Sequence, residues 1–252
     1  MSQAEKARSF AALHQKGDPL VLYNIWDAGS AKAVAAQGAP ALATGSWSVA
    51  AAQGYGDAEA IPLEFLLQIV SRICATVEVP VSVDFEGGYA VDPGALADNA
   101  RRLIQTGAIG INFEDRIVQG TGLHAVTDQA ARIAAIKSAA TDEDMPLFVN
   151  ARTDLFLGSD PATHKDHLNE ALDRAAAYAE AGADGFFIPG LTDTGLIAQI
   201  TAAVTLPVNV MMMPPLKQVS ELAQLGAARI SYGPGAYRKS MKDLQAAYDG
   251  IK

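Results

Sequence analysis

Eight short β-rich apolar runs recur along the chain, most followed by a polar or glycine-containing turn and then an alanine-rich segment with helical spacing. They are Leu20 to Trp26, Ala41 to Gly45, Val79 to Phe85, Gly110 to Glu114, Leu147 to Arg152, Gly185 to Pro189, Val208 to Met212 and Arg229 to Tyr232. An alternating strand and helix chain builds a parallel sheet, because each helix carries the chain back to the end at which the next strand starts. Dividing the 252 residues by eight gives about 31 per unit, the usual size of a βα repeat. Four units open alike, at Gln37-Gly38-Ala39, Thr106-Gly107-Ala108, Ala181-Gly182-Ala183 and Leu225-Gly226-Ala227. Glycine there suits the left-handed residue that ends a helix. Pro80 and Pro207 stand at strand starts, where a missing N–H is tolerated. An open dinucleotide-binding sheet carries G-x-G-x-x-G after its first strand, and Trp26-Asp27-Ala28-Gly29-Ser30 has no such pattern. The chain is therefore expected to form one α/β domain over residues 1–252, a single (β/α)8 TIM-type barrel. Leu66, Val70, Ile73 and Val77 fall on one helical face, as do Ile133 and Ile136, so these stripes are assigned to the core. The segment from Gln3 to Gln15 is expected to be a helix covering the N-terminal end of the barrel.

Charge narrows the partners. The formal net charge of −9 repels phosphate backbones and anionic lipid, and no Lys/Arg cluster makes a local exception, so nucleic-acid and membrane binding are not expected. An anionic substrate needs a local positive centre, either a metal or an arginine. One cysteine, Cys74, excludes an internal disulfide and a multi-cysteine zinc site. Met1 to Phe10 has no apolar core of signal-peptide length, and no stretch reaches the roughly 18 apolar residues of a membrane span, which makes the cytoplasm the expected location.

In a parallel barrel the active site is built from the C-terminal strand ends and the loops after them. These positions are unusually polar here: Asp27; Thr44 to Ser48; Gly54-Tyr55-Gly56-Asp57; Asp84 to Tyr89; Asn112 to Arg116; Asn150 to Asp154. Asp84, Glu86 and Glu114 make an all-oxygen set with no His or Cys beside them, which suits magnesium or manganese and not zinc. Strand alternation is expected to put Asp84 and Glu86 on one side of the chain, with Phe85 on the other. The alternative for each acid is a helix cap or an ion pair with Arg116 or Arg152. Gly45 and Ser46 can present backbone N–H groups to a substrate carboxylate, and Arg152 can supply a fixed positive charge. A structural ion pair with Asp84 or Glu114 is the other reading of Arg152.

Thr44 to Ala50, Gly54-Tyr55-Gly56-Asp57, Val83 to Tyr89, Asn112 to Arg116 and Asn150 to Asp154 stand in an order and spacing that resembles the isocitrate lyase and phosphoenolpyruvate mutase superfamily over nearly the whole chain. The resemblance implies a magnesium ion held, partly through water, by Asp84, Glu86 and Glu114, with Asp57 close by. It implies a 2-oxo acid substrate whose carboxylate meets backbone groups of Ser46 and Trp47, with Arg152 against the reacting portion. Two departures bear on the reaction. The cleaving lyases carry a Lys-Lys-Cys-Gly-His type loop after strand four, whereas Gln119 to His124 here has no cysteine, which leaves His124 as a candidate acid or base. After strand six, Ile188-Pro189-Gly190 replaces the His of the phosphonate mutases or the Glu of the lyases.

What unites the family is an enolate stabilised by the metal as a bond β to the carboxylate breaks. Three functions follow as expectations. The first is C–C cleavage of an oxaloacetate-like acid by a lyase or hydrolase. The second is C–P chemistry of the phosphoenolpyruvate mutase or phosphonopyruvate hydrolase kind, and the third is a non-catalytic 2-oxo acid binding protein. The loop from Arg116 to Val126, freed by Gly120 and Gly122, is expected to be a lid. By analogy the protein is expected to be a homo-oligomer. The room left for one final helix, from about Tyr237 to Gly250, argues against the helix exchange found in family members.

Overall fold

The computed structural model describes residues 1–251 and consists of a parallel sheet wrapped by helices. Its strands are β1 (Leu20–Leu22), β2 (Leu42–Ala43), β3 (Val81–Asp84), β4 (Gly110–Glu114), β5 (Phe148–Arg152), β6 (Gly185–Phe187), β7 (Val208–Met211) and β8 (Arg229–Ser231). Between them lie α2 (Ala28–Ala35), α3 (Ser46–Ala52), α4 (Leu63–Thr76), α5 (Pro93–Ile104), α6 (Val126–Asp142), α7 (Leu168–Glu180), α8 (Thr194–Ala203) and α9 (Val219–Gln224). Helix α1 (Gln3–Ala12) precedes the barrel and α10 (Gly235–Asp249) follows it. A 3₁₀ turn over Pro161–His167 leads into α7. The strands pair in parallel in the order β1-β8-β7-β6-β5-β4-β3-β2. Only the β1 and β2 seam lacks a ladder, and there a single parallel bridge between Ile25 and Thr44 nearly closes the barrel.

All eight expected strands are present, but several are shorter than their apolar runs. The run from Leu20 to Trp26 keeps a ladder only at Leu20, Val21 and Leu22, because β8 offers no partner beyond Ser231. Residues of a run beyond the strand's C-terminal end, such as Tyr23 to Trp26, supply loop residues at the mouth, whereas Ala41, Val79, Pro80 and Leu147 precede their strands. The four expected glycine stops hold: Gly38, Gly107, Gly182 and Gly226 all have φ between +85° and +97°. Leu66, Val70, Ile73, Ile133 and Ile136 are buried, as their spacing predicts.

The inside of the barrel is more polar than a hydrophobic pattern suggests. Asn112 Oδ1 accepts from Asn150 Nδ2 at 2.9 Å and from Arg229 Nη2 at 3.0 Å. Gly185 makes room for this layer, since a Cβ there would stand 2.6 Å from Asn150 Oδ1. Arg229 is fully buried, and burial pushes its pKa down to about 9, only partly opposed by the charge of Asp84.

Helix α1 covers the N-terminal end as expected. Gln3 Nε2 donates to the carbonyls of Ile104 and Ala108, both at 2.8 Å. Phe10 packs edge-on against Phe148, and His14 stacks on the same ring at 4.2 Å between centroids. Burial, and secondarily the charge of Arg229, pushes the His14 pKa from 6.5 down to about 3. His14 is therefore neutral in both folded and unfolded chains above pH 6.5, and its contribution to stability is complete there. As pH falls from about 6.5 toward 3, the unfolded chain takes up a proton that the folded chain refuses, and stability is lost, at most on the order of 5 kcal/mol. Urea unfolding of wild type and His14→Phe, compared near neutral pH and near pH 4.5, is expected to show the smaller acid loss in the variant. Equal losses would sink this account of the bottom seal.

Candidate active site at the barrel mouth

Parallel register decides which polar residues meet. β4 and β5 align Glu114 with Arg152, and β3 and β4 align Asp84 with Asn112, so side chains far apart in sequence share one end of the barrel. Arg152 is the centre of the cluster. Its Nη1 donates to Glu114 Oε2 at 2.9 Å, and Nε and Nη2 fork onto Asp154 Oδ1 and Oδ2 at 2.5 and 2.8 Å. Asp84 Oδ1 stands 4.0 Å from Nη1. Burial alone lowers the pKa of Arg152, but Glu114, Asp154 and Asp84 outweigh it and raise it, so the guanidinium stays charged. The bidentate fork holds it in one orientation.

Asp154 is itself anchored. Its N–H donates to Asp115 Oδ1 at 3.0 Å, and Asp115 Oδ2 accepts from Tyr178 Oη at 2.8 Å and Arg174 Nη1 at 3.1 Å. Asp115 is fully buried, so these donors replace its water.

The acidic residues fall in unequal places. Asp84 ends β3, and its Oδ2 accepts from both the N–H and the Oγ of Ser46, at 3.0 and 2.8 Å. Glu86 does not continue the strand as alternation predicts. The chain turns sharply at Phe85, whose carbonyl accepts from Gly88 N–H, and Glu86 takes a left-handed φ of +50°. Its Oε2 accepts the Glu59 N–H at 3.0 Å, while Glu59 Oε1 accepts the Tyr89 N–H at 2.8 Å. Burial, and then the charges of Asp84, Asp57 and Glu114, raise the Glu86 pKa to about 9. Burial likewise raises that of Glu114, against the pull of Arg152.

A cavity of about 420 Å³ opens here, lined by Gly45, Ser46, Trp47, Asp57, Asp84, Asn112 and Arg152. Glu86 and Glu114 lie behind that wall and do not line it. Among the described residues no three His, Cys, Asp or Glu side chains converge as a ready metal cage. The donor set still fits a hard divalent cation in chemistry and charge. Asp84 Oδ1 is buried without a hydrogen-bond partner, and Glu86 is pushed toward its neutral form by burial and then by its acidic neighbours.

His124 is not brought into the cavity. Its N–H donates to the Asp115 carbonyl at 2.8 Å, and its carbonyl accepts from Arg174 Nη1 at 3.0 Å, which pins the end of the loop. The rest of that loop folds as a small hairpin through an Arg116 and Leu123 bridge. Cys74 is far from the mouth, on α4, with its thiol pushed up to about 12 by burial.

Sequence reading missed the far wall. Asn24, Phe187, Met211, Met212, Tyr232 and Arg238 line the cavity, on segments that follow β1, β6, β7 and β8 or belong to them. The consecutive methionines at 211, 212 and 213, just past a predicted strand end, were a visible signal.

A parallel barrel with a carboxylate-rich mouth has the active-site layout of barrel enzymes, and comparison with known proteins makes the assignment specific. Residues 10–252 match the sequence model of the phosphoenolpyruvate phosphomutase family, so the chain belongs to that family, within the isocitrate lyase and phosphoenolpyruvate mutase superfamily. It is an enzyme of the lyase and mutase class. An uncharacterized protein of Mycobacterium tuberculosis is 35% identical over 91% of this chain and 83% of its own. The oxaloacetate decarboxylase of a Bradyrhizobium strain is 29% identical over 82% of this chain and 70% of its own. A crystal structure from Burkholderia cenocepacia, provisionally named a phosphonomutase, superposes with a TM-score of 0.97 at 46% identity and covers 100% of both chains.

Asp115→Ala is expected to lower stability by about 2–4 kcal/mol in chemical denaturation, because it removes the acceptor of Tyr178 Oη and releases the Asp154 N–H, while Arg174 keeps its ion pair with Glu170. A loss below about 1 kcal/mol would show that this buried tier does not hold the mouth together.

Proposed function

We propose that the protein is a magnesium-dependent lyase or hydrolase that breaks a C–C bond in a small 2-oxo or 2-hydroxy diacid of the oxaloacetate kind, by way of an enolate. The observation that carries this reading is the pair of carboxylates Asp84 and Glu114 at one fixed guanidinium, with the buried Glu86 carboxylate near them, beside a cavity of small-molecule size. The activity named for the Bradyrhizobium relative supports the choice of oxaloacetate. Asp84, Glu86 and Glu114 would hold Mg²⁺, or Mn²⁺ in its place. When bound, the ion supplies Lewis-acid stabilisation of the negative charge that develops on the oxo oxygen.

The chain's own residues bind and orient. Arg152, permanently protonated, attracts the acid and serves as neither base nor acid. Asn112 has its Oδ1 held by two donors, which leaves its amide N–H groups for the ligand. Gly45, Ser46 and Trp47 form the wall against a substrate carboxylate. Asp57, exposed on the cavity rim, is the carboxylate available to take a proton from an attacking water. No cysteine lines the cavity, which favours decarboxylation or hydrolysis over a cleavage that needs a thiol acid.

C–P bond chemistry is the second reading, favoured by the provisional name of the Burkholderia structure. Pro189 lines the cavity where a mutase would present histidine, and counts against it. Oxaloacetate and phosphonopyruvate assays separate the two.

Turnover of oxaloacetate is expected to vanish on thorough chelation and return with Mg²⁺, and Glu114→Gln is expected to lower kcat/KM by about 100-fold. Activity that survives chelation would remove the metal from the proposal. A homo-oligomer is also proposed, supported by Leu244 and Ile251, which stand 64% and 81% exposed at the C-terminal end. Light scattering is expected to give a dimer or tetramer, and a monomer at micromolar concentration would overturn it.

A further inference from the structure

Left-handed backbone gathers at one place beside the mouth. Among the described residues five that are not glycine have φ between +50° and +66°, and four of them, Ala58, Glu59, Glu86 and Tyr89, lie in two segments bonded to each other. Asp144 stands apart. Side chains disfavour this conformation, so it persists only where surrounding contacts impose it.

The contacts here are reciprocal. The Glu59 N–H donates to Glu86 Oε2 at 3.0 Å, and Glu59 Oε1 accepts the Tyr89 N–H at 2.8 Å. Two bonds in opposite directions thus clasp the loop that holds residue 59 to the turn over residues 86–89. Glycine at 87 admits the carboxylate, since a Cβ there would stand 3.1 Å from Glu59 Oε1. Arg132 holds the carbonyl side of the same turn, donating to Gly87 and Ala90 at 2.6 and 3.0 Å. An anion therefore grips the N–H side of the turn and a cation its C=O side.

The clasp settles how Glu86 is presented. Its Oε2 is taken by the Glu59 N–H, and among the described residues no protein donor takes Oε1, which leaves that oxygen for a cation. Glu59 does not line the cavity, whereas Asp57, two residues before it, does. The left-handed pair Ala58 and Glu59 turns the chain so that one acid reaches the cavity and the other reaches the turn. The Glu59 carboxylate is thus a group for the protein's own backbone and not for the substrate.

We propose that Glu59 is a positioning residue that fixes the Glu86 carboxylate for the divalent cation. This rests on the reading of Asp84, Glu86 and Glu114 as the residues that hold the ion. Glu59 acts through its bonds to the turn and not through its charge. A glutamine in its place keeps both bonds, because its amide oxygen accepts the Tyr89 N–H and the N–H of residue 59 is unchanged.

The test is calorimetric titration of the whole protein with Mg²⁺ alone, beside assays of oxaloacetate turnover. Glu59→Ala is expected to weaken Mg²⁺ binding by about 10- to 100-fold, the range for loss of a group that orients a metal ligand, and Glu59→Gln to stay within about threefold of wild type. Glu59→Gly removes the carboxylate and also relieves the left-handed backbone, and it is expected to bind no better than Glu59→Ala. Wild-type affinity in Glu59→Ala and Glu59→Gly would overturn the assignment. So would a Glu59→Gln protein as weak as Glu59→Ala, because charge and not the clasp would then be responsible. Mg²⁺ binding that depends on Glu59, without turnover of oxaloacetate, would defeat the cleavage reading and uphold this one. Chelation-sensitive turnover with Mg²⁺ affinity independent of Glu59 would do the reverse, and a wild type that binds no Mg²⁺ would remove both.

Discussion

The arrangement at the barrel mouth depends on one charge, the guanidinium of Arg152. Asp84, Glu114 and Asp154 approach it from three strands or strand ends, and burial, with the charges of Asp84, Asp57 and Glu114, raises the pKa of Glu86 beside them. Without a cation this set would repel itself in a medium where water screens little. Arg152 makes the cluster tolerable, yet it cannot neutralise all of it. The surplus of negative charge is the physical reason a divalent cation suits the site. The same surplus has to be overcome by any anionic substrate in a chain of net charge −9.

Precision at Arg152 is borrowed from residues that never reach the cavity. Asp115, Arg174 and Tyr178 form a buried tier that fixes the Asp154 backbone, and Arg174 reaches on to the His124 carbonyl. Loop, strand end and helix α7 are thereby coupled. On the neighbouring side, Arg132 donates to the Gly87 carbonyl at 2.6 Å and to the Ala90 carbonyl at 3.0 Å, and Gln129 donates to the Glu114 carbonyl at 3.0 Å. The Glu86 turn thus rests on helix α6. At Gly88, with φ of +78°, a Cβ would fall 2.2 Å from Leu96 Cδ1, so a side chain there would strain the turn and push the Leu96 side chain aside.

The weakest part of the barrel is also the part nearest the substrate wall. β1 and β2 share only the Ile25 and Thr44 bridge, and Asn24 reinforces the seam by donating to the Thr44 carbonyl at 2.9 Å. Its Oδ1 accepts from the N–H groups of Tyr232 and Gly233 at 2.8 and 2.9 Å, which binds the β8 loop to the same place. One amide therefore holds together the segments that carry Trp26, Trp47 and Arg238. A side chain in place of a continuous ladder allows the two strand ends to diverge and leave room for a ligand.

Local sequence determined the eight βα units, the glycine helix stops, the apolar helix faces and the candidacy of Asp57, Asp84, Arg152 and Glu114, because period, turn chemistry and charge are properties of neighbouring residues. It also carried the family, through five short segments in order. Tertiary structure decided what lay between residues distant in sequence. Glu86 left the strand because a turn at Phe85 intervenes and Glu59, from another loop, caps its carboxylate. His124 turned its backbone into a support, since Asp115 and Arg174 claimed it. Asn112 and Arg229 share a bond across 117 positions, and Arg238 meets Trp47 from the last helix. None of these pairings has a sequence period, because barrel closure alone brings the first and last units side by side.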